Sequence, residues 1–290
     1  MGCDVAAAAP ASVVLEPPRR PALLKRLASA VVLLPVFLLI VVKAPAFLFN
    51  TLVVIASAAA LWELVRLFEH AGRPVDRGLA LVAGTAVTAA FGASRLLDPL
   101  ALPTLALLVA VAAVLAAPVW RGTPDVERAA NTLLAVMYVG WLLGFAILLH
   151  HTSALGDELV LFVVGVTWLG ETAAYLAGST FGRHKLAPVV SPRKTVEGAL
   201  AQVVASIATG GLLAAWLLPA CGVWLGLAAG GLLGVVGQFG DLAESAIKRS
   251  AGTKDTGGLI PGHGGVLDRI DSLLFNFPAY YYFTLLAGCR

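Results

Sequence analysis

Two short stretches of this 290-residue chain concentrate groups that can handle phosphate, residues 181–197 and residues 248–271. Arg183, Lys185, Arg193 and Lys194 lie in the first, and Lys248, Arg249, Lys254 and Arg269 in the second, in both cases among glycines and prolines. Upstream of the second stretch, helical spacing puts Asp241 on nearly the same face as Gly234, with Ser245 and Lys248 at the next turns. A carboxylate at the end of a membrane helix is expensive unless it is paired, hydrated or bound to a cation, so Asp241 and Glu244 are functional candidates. The turn Pro261-Gly262-His263-Gly264-Gly265 offers backbone N–H groups to an anion, and His263 can donate to a pyrophosphate. Carboxylates for a metal, cations for phosphates and glycines for close approach together suit phosphoryl or nucleotidyl transfer. Each basic residue taken singly also fits a topology-setting role.

The rest of the chain must hold these groups in lipid. Hydrophobic residues make up 59% of it and charged residues 13%, where a soluble domain carries about 25%. The mean hydropathy is +0.88. The expected fold is therefore all-α, a polytopic transmembrane bundle of about nine helices, since only helices or closed barrels satisfy the backbone in a bilayer and no alternating strands are present. Spans are expected to start near Ala28, Ala46, Leu79, Leu100, Ala130, Glu158, Val196, Gly222 and Ser272. Residues 1–23 read as a disordered leader and residues 24–290 as one membrane domain, with its catalytic part in about 165–275. A net charge of +3 gives no support for nucleic-acid binding. Cys3, Cys221 and Cys289 are scattered and suggest neither zinc nor a disulfide framework, which leaves them as small apolar fillers.

With the N-terminus inside, all 20 basic residues except Lys43, Arg95 and Arg290 fall on inside segments, as the positive-inside rule requires. This argues against cleavage at Ala44-Pro45-Ala46, because removing the first span would turn the basic loops outward. Both chemistry-bearing stretches then face the cytoplasm. Gly222, Gly226, Gly230 and Gly234 recur every four residues and predict a helix face for close packing, which permits a homodimer without requiring one.

The run from Ser245 to Asp271, through Lys248-Arg249, Lys254-Asp255, His263-Gly264-Gly265 and Asp268-Arg269-Ile270-Asp271, resembles the C-terminal motif of phosphatidate cytidylyltransferases (CDP-diglyceride synthetases). Ser191-Pro192-Arg193-Lys194-Thr195-Val196-Glu197-Gly198 is similar to the family's S-P-x-K-T-x-E-G segment, and Tyr175, Gly178, Phe181 and Gly182 fit its A-Y-x-x-G-x-x-F-G pattern. The likeness covers about Trp168 to Asp271, with a weaker echo in residues 24–67. Glu171 stands where the pattern leads one to expect Asp, which leaves its role open.

The resemblance implies transfer of the cytidylyl group of CTP to phosphatidate at the cytoplasmic face of an inner membrane. It implies Mg²⁺, with room for a second cation, on Asp241 and Asp268, and places Lys254 and Asp255 in the catalytic set. Ser191, Lys194, Thr195, Ser245, Lys248, Arg249, His263, Gly264, Gly265 and Arg269 become substrate-binding candidates. Asp271 either joins the site or, with Ser272, caps the last helix. A lipid phosphate is already nucleophilic at neutral pH, so no strong base is required and no Ser/His/Asp arrangement is expected. The alternatives are another lipid nucleotidyltransferase or kinase, and a secondary transporter using Glu171 and Asp241 for a coupling ion. A Walker A loop and convincing internal repeats are both missing from the sequence.

Overall fold

The computed structural model describes residues 35–93, 98–257, 259 and 264–289. The expected leader and first-span start at Ala28 lie outside these residues, as do Arg95, His263 and Arg290. Helix α1 is described over residues 35–43. It is followed by α2 (Ala46–His70), α3 (Arg77–Ala90), α4 (Ala101–Arg121), α5 (Val126–Ala135), a π-helical turn (Val136–Trp141), α6 (Leu142–His151) and α7 (Gly156–Phe181). A hairpin of β1 (Lys185–Ala187) and β2 (Ser191–Thr195) then precedes α8 (Val196–Leu217), α9 (Val223–Ser250) and α10 (Leu267–Ala287). Among the described residues six helices are long and apolar enough to cross a membrane, counting Val126–His151 as one. The chain is a multi-pass membrane protein. The helical expectation holds except at the hairpin, where antiparallel pairing joins Lys185 to Thr195 and Ala187 to Ser191.

Side-chain caps mark the starts of three helices. Asp76 and Asp125 accept from the N–H groups of Leu79 and Arg128 and start α3 and α5, and Thr195 does the same for α8 through Gly198. Helix α10, like α2, α4, α7 and α9, lacks such a cap. It begins at Leu267, five residues before the expected start, and its N-cap Val266 offers no side-chain hydrogen bond. Asp271 therefore lies inside the first turns and is not the cap; its Oδ1 accepts from the next residue's N–H, that of Ser272, at 2.7 Å.

In the C-terminal half α8 packs between α7 and α9, and α10 lies along α9. In the N-terminal half α2 and α3 gather around the π-helical turn, and α10 against α6 joins the halves. Gly226, Gly230 and Gly234 bring α9 onto the backbone of α8: a Cβ on Gly230 would overlap the Ser206 carbonyl and come within 3.0 Å of the Ile207 Cα. Gly222 departs from the expected stripe, because it precedes the helix at φ +80° with open space around it. The stripe continues instead with Gly237 against Asn276 and Gly240 against the Asp271 carbonyl, so α9 seats both neighbours on bare backbone. Gly230→Leu is expected to cost at least about 1–3 kcal/mol, since overpacked cores must shift backbone. Gly231→Ala, whose methyl would meet Ile207 Cγ1 at 3.4 Å, is expected to be tolerated. Thermal melts and monodispersity in detergent would compare the two, and equal melts would remove the close-packing role of Gly230.

Polar contacts gather the basic loops at one end of the bundle. Arg73 donates to the Ser250 carbonyl at 3.1 Å, Arg121 pairs with Asp76, and Arg249 donates to the Val190 carbonyl at 3.2 Å. The turn after α8 and the end of α10 meet elsewhere, where Cys221 and Cys289 form a disulfide with their Cα atoms 5.4 Å apart. This corrects the reading of these cysteines as isolated fillers. They are 68 residues apart in sequence, and only the antiparallel return of α10 along α9 makes them neighbours.

Candidate active site

Three segments converge on a cavity of about 880 Å³. The last turns of α9 contribute Asp241, Ser245, Lys248 and Arg249; the loop that follows contributes Lys254, Asp255, Gly257 and Gly264; and the start of α10 contributes Asp268, Arg269 and Asp271. The hairpin closes the remaining wall with Ser191, Pro192 and Arg193. Glu197 fixes that hairpin from the first turn of α8, accepting from the N–H groups of Arg183 at 3.1 Å and His184 at 3.2 Å and from His184 Nδ1 at 2.7 Å. Arg249 ties the hairpin to the loop by donating to both Val190 O and Thr253 O.

Charges inside the site are matched in pairs. Lys194 Nζ lies 2.6 Å from Asp241 Oδ2, and Lys248 Nζ bridges Glu244 Oε2 at 2.5 Å and Asp268 Oδ1 at 2.8 Å. The other oxygen of Asp268 accepts from the N–H groups of Gly265 at 3.2 Å and Thr256 at 3.3 Å. Burial opposes ionisation of Asp268, in the first turn of α10 and outside the six spans. The Lys248 ammonium, the Thr256 side chain and the Gly265 N–H outweigh that and hold its carboxyl below the usual range. Glu244 is wholly buried, and Lys248 is the one cation paired with it among the described residues. Gly264 turns the chain at φ +86°, a conformation open to glycine and strained for other residues.

Ten of the sequence candidates line the cavity: Ser191, Asp241, Ser245, Lys248, Arg249, Lys254, Asp255, Gly264, Asp268 and Arg269. Lys194 reaches the site through Asp241, and Gly265 through its N–H to Asp268. Thr195, the last residue of β2, is buried and spends its hydroxyl on capping α8. His263 lies outside the described residues. Glu171, on α7, feels the charges of Asp241, Lys194 and Arg269. Sequence reasoning named Arg193 only as one of the basic residues of its loop and passed over Glu63 altogether; Glu63 is a buried acidic residue in an apolar helix, a signal that could have found it.

The donor set suits a hard cation. Asp241, Asp268 and Asp271 all face the cavity with oxygen ligands. No group of three or more His, Cys, Asp or Glu side chains converges on one metal position among the described residues. A Mg²⁺ site commonly uses only one or two carboxylates and fills its sphere with water and substrate phosphates. A second cavity of about 610 Å³, lined by Asp76, Arg77, Arg121, Asp125 and Arg128, has two of its arginines paired with its own aspartates.

Residues 24–287 match the family model described as the cytidylyltransferase family. The chain is 42% identical over 150 residues to a Staphylococcus saprophyticus protein named phosphatidate cytidylyltransferase, and 41% identical over 150 residues to one of the same name from Staphylococcus epidermidis. Over 159 residues it is 40% identical to the protein of that name from Staphylococcus aureus. In each case the match spans 52% of this chain and 56% of the relative, so the chain covers about half the length of the curated relatives it matches. With the matched model running through the helices, the hairpin and the cavity walls, the chain belongs to the cytidylyltransferase family.

Proposed function

We propose that this chain makes CDP-diacylglycerol and pyrophosphate from CTP and phosphatidate. The observation that carries this reading is the cavity itself, where Asp241, Asp268 and Asp271 face Arg193, Lys248, Arg249, Lys254 and Arg269. Five cations suit a triphosphate and a lipid phosphate, and the three carboxylates suit the divalent ion that accompanies a nucleotide. The phosphatidate oxygen attacks the α-phosphorus of CTP, the new P–O bond forms, and the bond to the β-phosphate breaks to release pyrophosphate. Catalysis then rests on positioning and on neutralising charge on the phosphates. Asp241 and Asp268 would hold Mg²⁺, which supplies positive charge to the reacting phosphates when bound. Lys194 and Lys248 pair with these same carboxylates and hold them in place at the cavity. Lys254 and Arg269 bind phosphate oxygens from the loop and from α10. Glu171 tunes the field around Asp241.

The test is direct. Purified protein is incubated with phosphatidate, Mg²⁺ and each of the four nucleoside triphosphates, and the expected result is CDP-diacylglycerol with stoichiometric pyrophosphate. Product from none of the four would overturn the reading, and product with another nucleotide alone would overturn the choice of CTP.

We also propose that the basic end of the bundle, with the cavity, faces the cytoplasm. The positive-inside distribution supports this, as does the Cys221–Cys289 disulfide, because disulfides persist in oxidising compartments and are rare in the cytosol. A membrane-impermeant thiol reagent applied to intact cells is expected to label a cysteine at Ser153 and to spare one at Gly252. The opposite pattern would invert the topology.

A further inference from the structure

We infer that Glu63, on α2, is a positioning residue for the catalytic loop. The inference rests on the activity proposed above, although one arm of its test does not. Glu63 is 2% exposed. It lies in an apolar helix of the N-terminal half, yet its carboxylate reaches the far side of the chain, where Oε2 accepts from the N–H of Leu267 at 2.9 Å across 204 residues. That N–H is the first of α10, a helix whose own N-cap residue, Val266, supplies no hydrogen bond. A helix start needs acceptors for its free N–H groups, and here one comes from another helix.

The carboxylate also sets the path of the loop. A Cβ on Gly257 would stand 2.7 Å from Glu63 Oε1, and one on Gly265 would stand 2.8 Å from Glu63 Oε2 and 3.0 Å from Asp268 Oδ2. Gly265 is thus held between two carboxylates, and its N–H donates to Asp268. Glu63 Oε1 has no partner among the described residues, so the carboxylate lies under the loop with hydrogen-bonding capacity to spare. Glu63 is not itself part of the cavity lining, and it acts through Leu267 and Gly265 on the position of Asp268 and Arg269.

Glu63→Ala and Glu63→Asp, the second of which retracts the carboxylate by one methylene, are compared with Glu63→Gln, whose amide oxygen still accepts from Leu267. Hydrogen exchange is followed by mass spectrometry on the full-length chain in detergent. Peptides within 253–272 are expected to exchange at least about tenfold faster in the Ala and Asp variants and near the wild-type rate in Gln, while α8 and α9 stay as slow as in wild type. In the cytidylyl-transfer assay kcat is expected to fall at least about tenfold in Ala and Asp, with KM for both substrates within about threefold and kcat recovered in Gln. Unchanged loop exchange, an even rise through α7–α10, or a Gln variant as impaired as Ala would overturn the inference. If Ala does not yield monodisperse protein, the Asp variant carries the same comparison. A wild type without cytidylyl-transfer activity would sink the activity reading and leave the exchange arm to decide the role of Glu63.

Discussion

Asp268→Asn is expected to lower the rate of CDP-diacylglycerol formation by about 10²–10³-fold while leaving the protein folded. Asparagine keeps the size of the side chain and an oxygen that can still accept from Thr256 and Gly265, the two loop donors now on Oδ2. It removes the charge that faces Lys248 and, in the proposed mechanism, the charge that holds Mg²⁺. The competing possibility is that Asp268 only pairs with Lys248. Both side chains of that pair are 13% exposed, and Lys248 would keep Glu244, so the loss would appear in stability with little change in the rate of the folded enzyme. Initial rates across a Mg²⁺ titration separate the two, with monodispersity in detergent as the folding control. A folded variant within about threefold of wild type at every Mg²⁺ concentration, a difference of only about 0.6 kcal/mol, removes Asp268 from the metal site.

Lys248→Met should have the largest effect on stability of any change in the cavity. It leaves Glu244, which is wholly buried, without the one cation that contacts it among the described residues. Removing one partner of a buried ion pair typically costs about 3–5 kcal/mol, because the remaining charge cannot be rehydrated. In a chain of this size that is a fall of about 10 °C in melting temperature. Adding Glu244→Gln removes the stranded charge and is expected to restore most of the stability. The double variant should nevertheless remain about 100-fold or more below wild type in activity, because the cation facing Asp268 and the phosphates is still missing. A melting temperature for Lys248→Met within about 2 °C of wild type, or a double variant as active as wild type, would contradict the assignment.

The grouping of the site residues was legible in the sequence because it is local. Asp241, Ser245 and Lys248 share a helix face by spacing alone, and the charges and glycines of residues 248–271 advertise themselves against an apolar background. Helix bodies were legible for the same reason, since hydropathy reports on each segment separately. What escaped were the arrangements fixed by distant partners. Ser191-Pro192-Arg193-Lys194-Thr195 carries proline and lysine and no strand-like alternation; it is extended because Glu197 gathers the N–H groups ahead of β1 and Arg249 holds the turn. The start of α10 was misplaced because no capping residue stands beside it; the acceptor is Glu63, on another helix. Asp271 was consequently weighed as a cap when it faces the cavity.

The disulfide has a consequence for how the polypeptide can be cut. Linking Cys221 to Cys289 closes a ring of the main chain that contains α9, the loop and the body of α10, and with them Asp241, Lys248, Asp268 and Asp271. A single nick at exposed Lys254 would open the ring without separating its parts. The cut chain would run as one band on a gel until a reductant is added and only then release a short C-terminal piece. Nicked enzyme could therefore keep both walls of its cavity together, and damage in the catalytic loop would pass unnoticed in any preparation checked only without reductant.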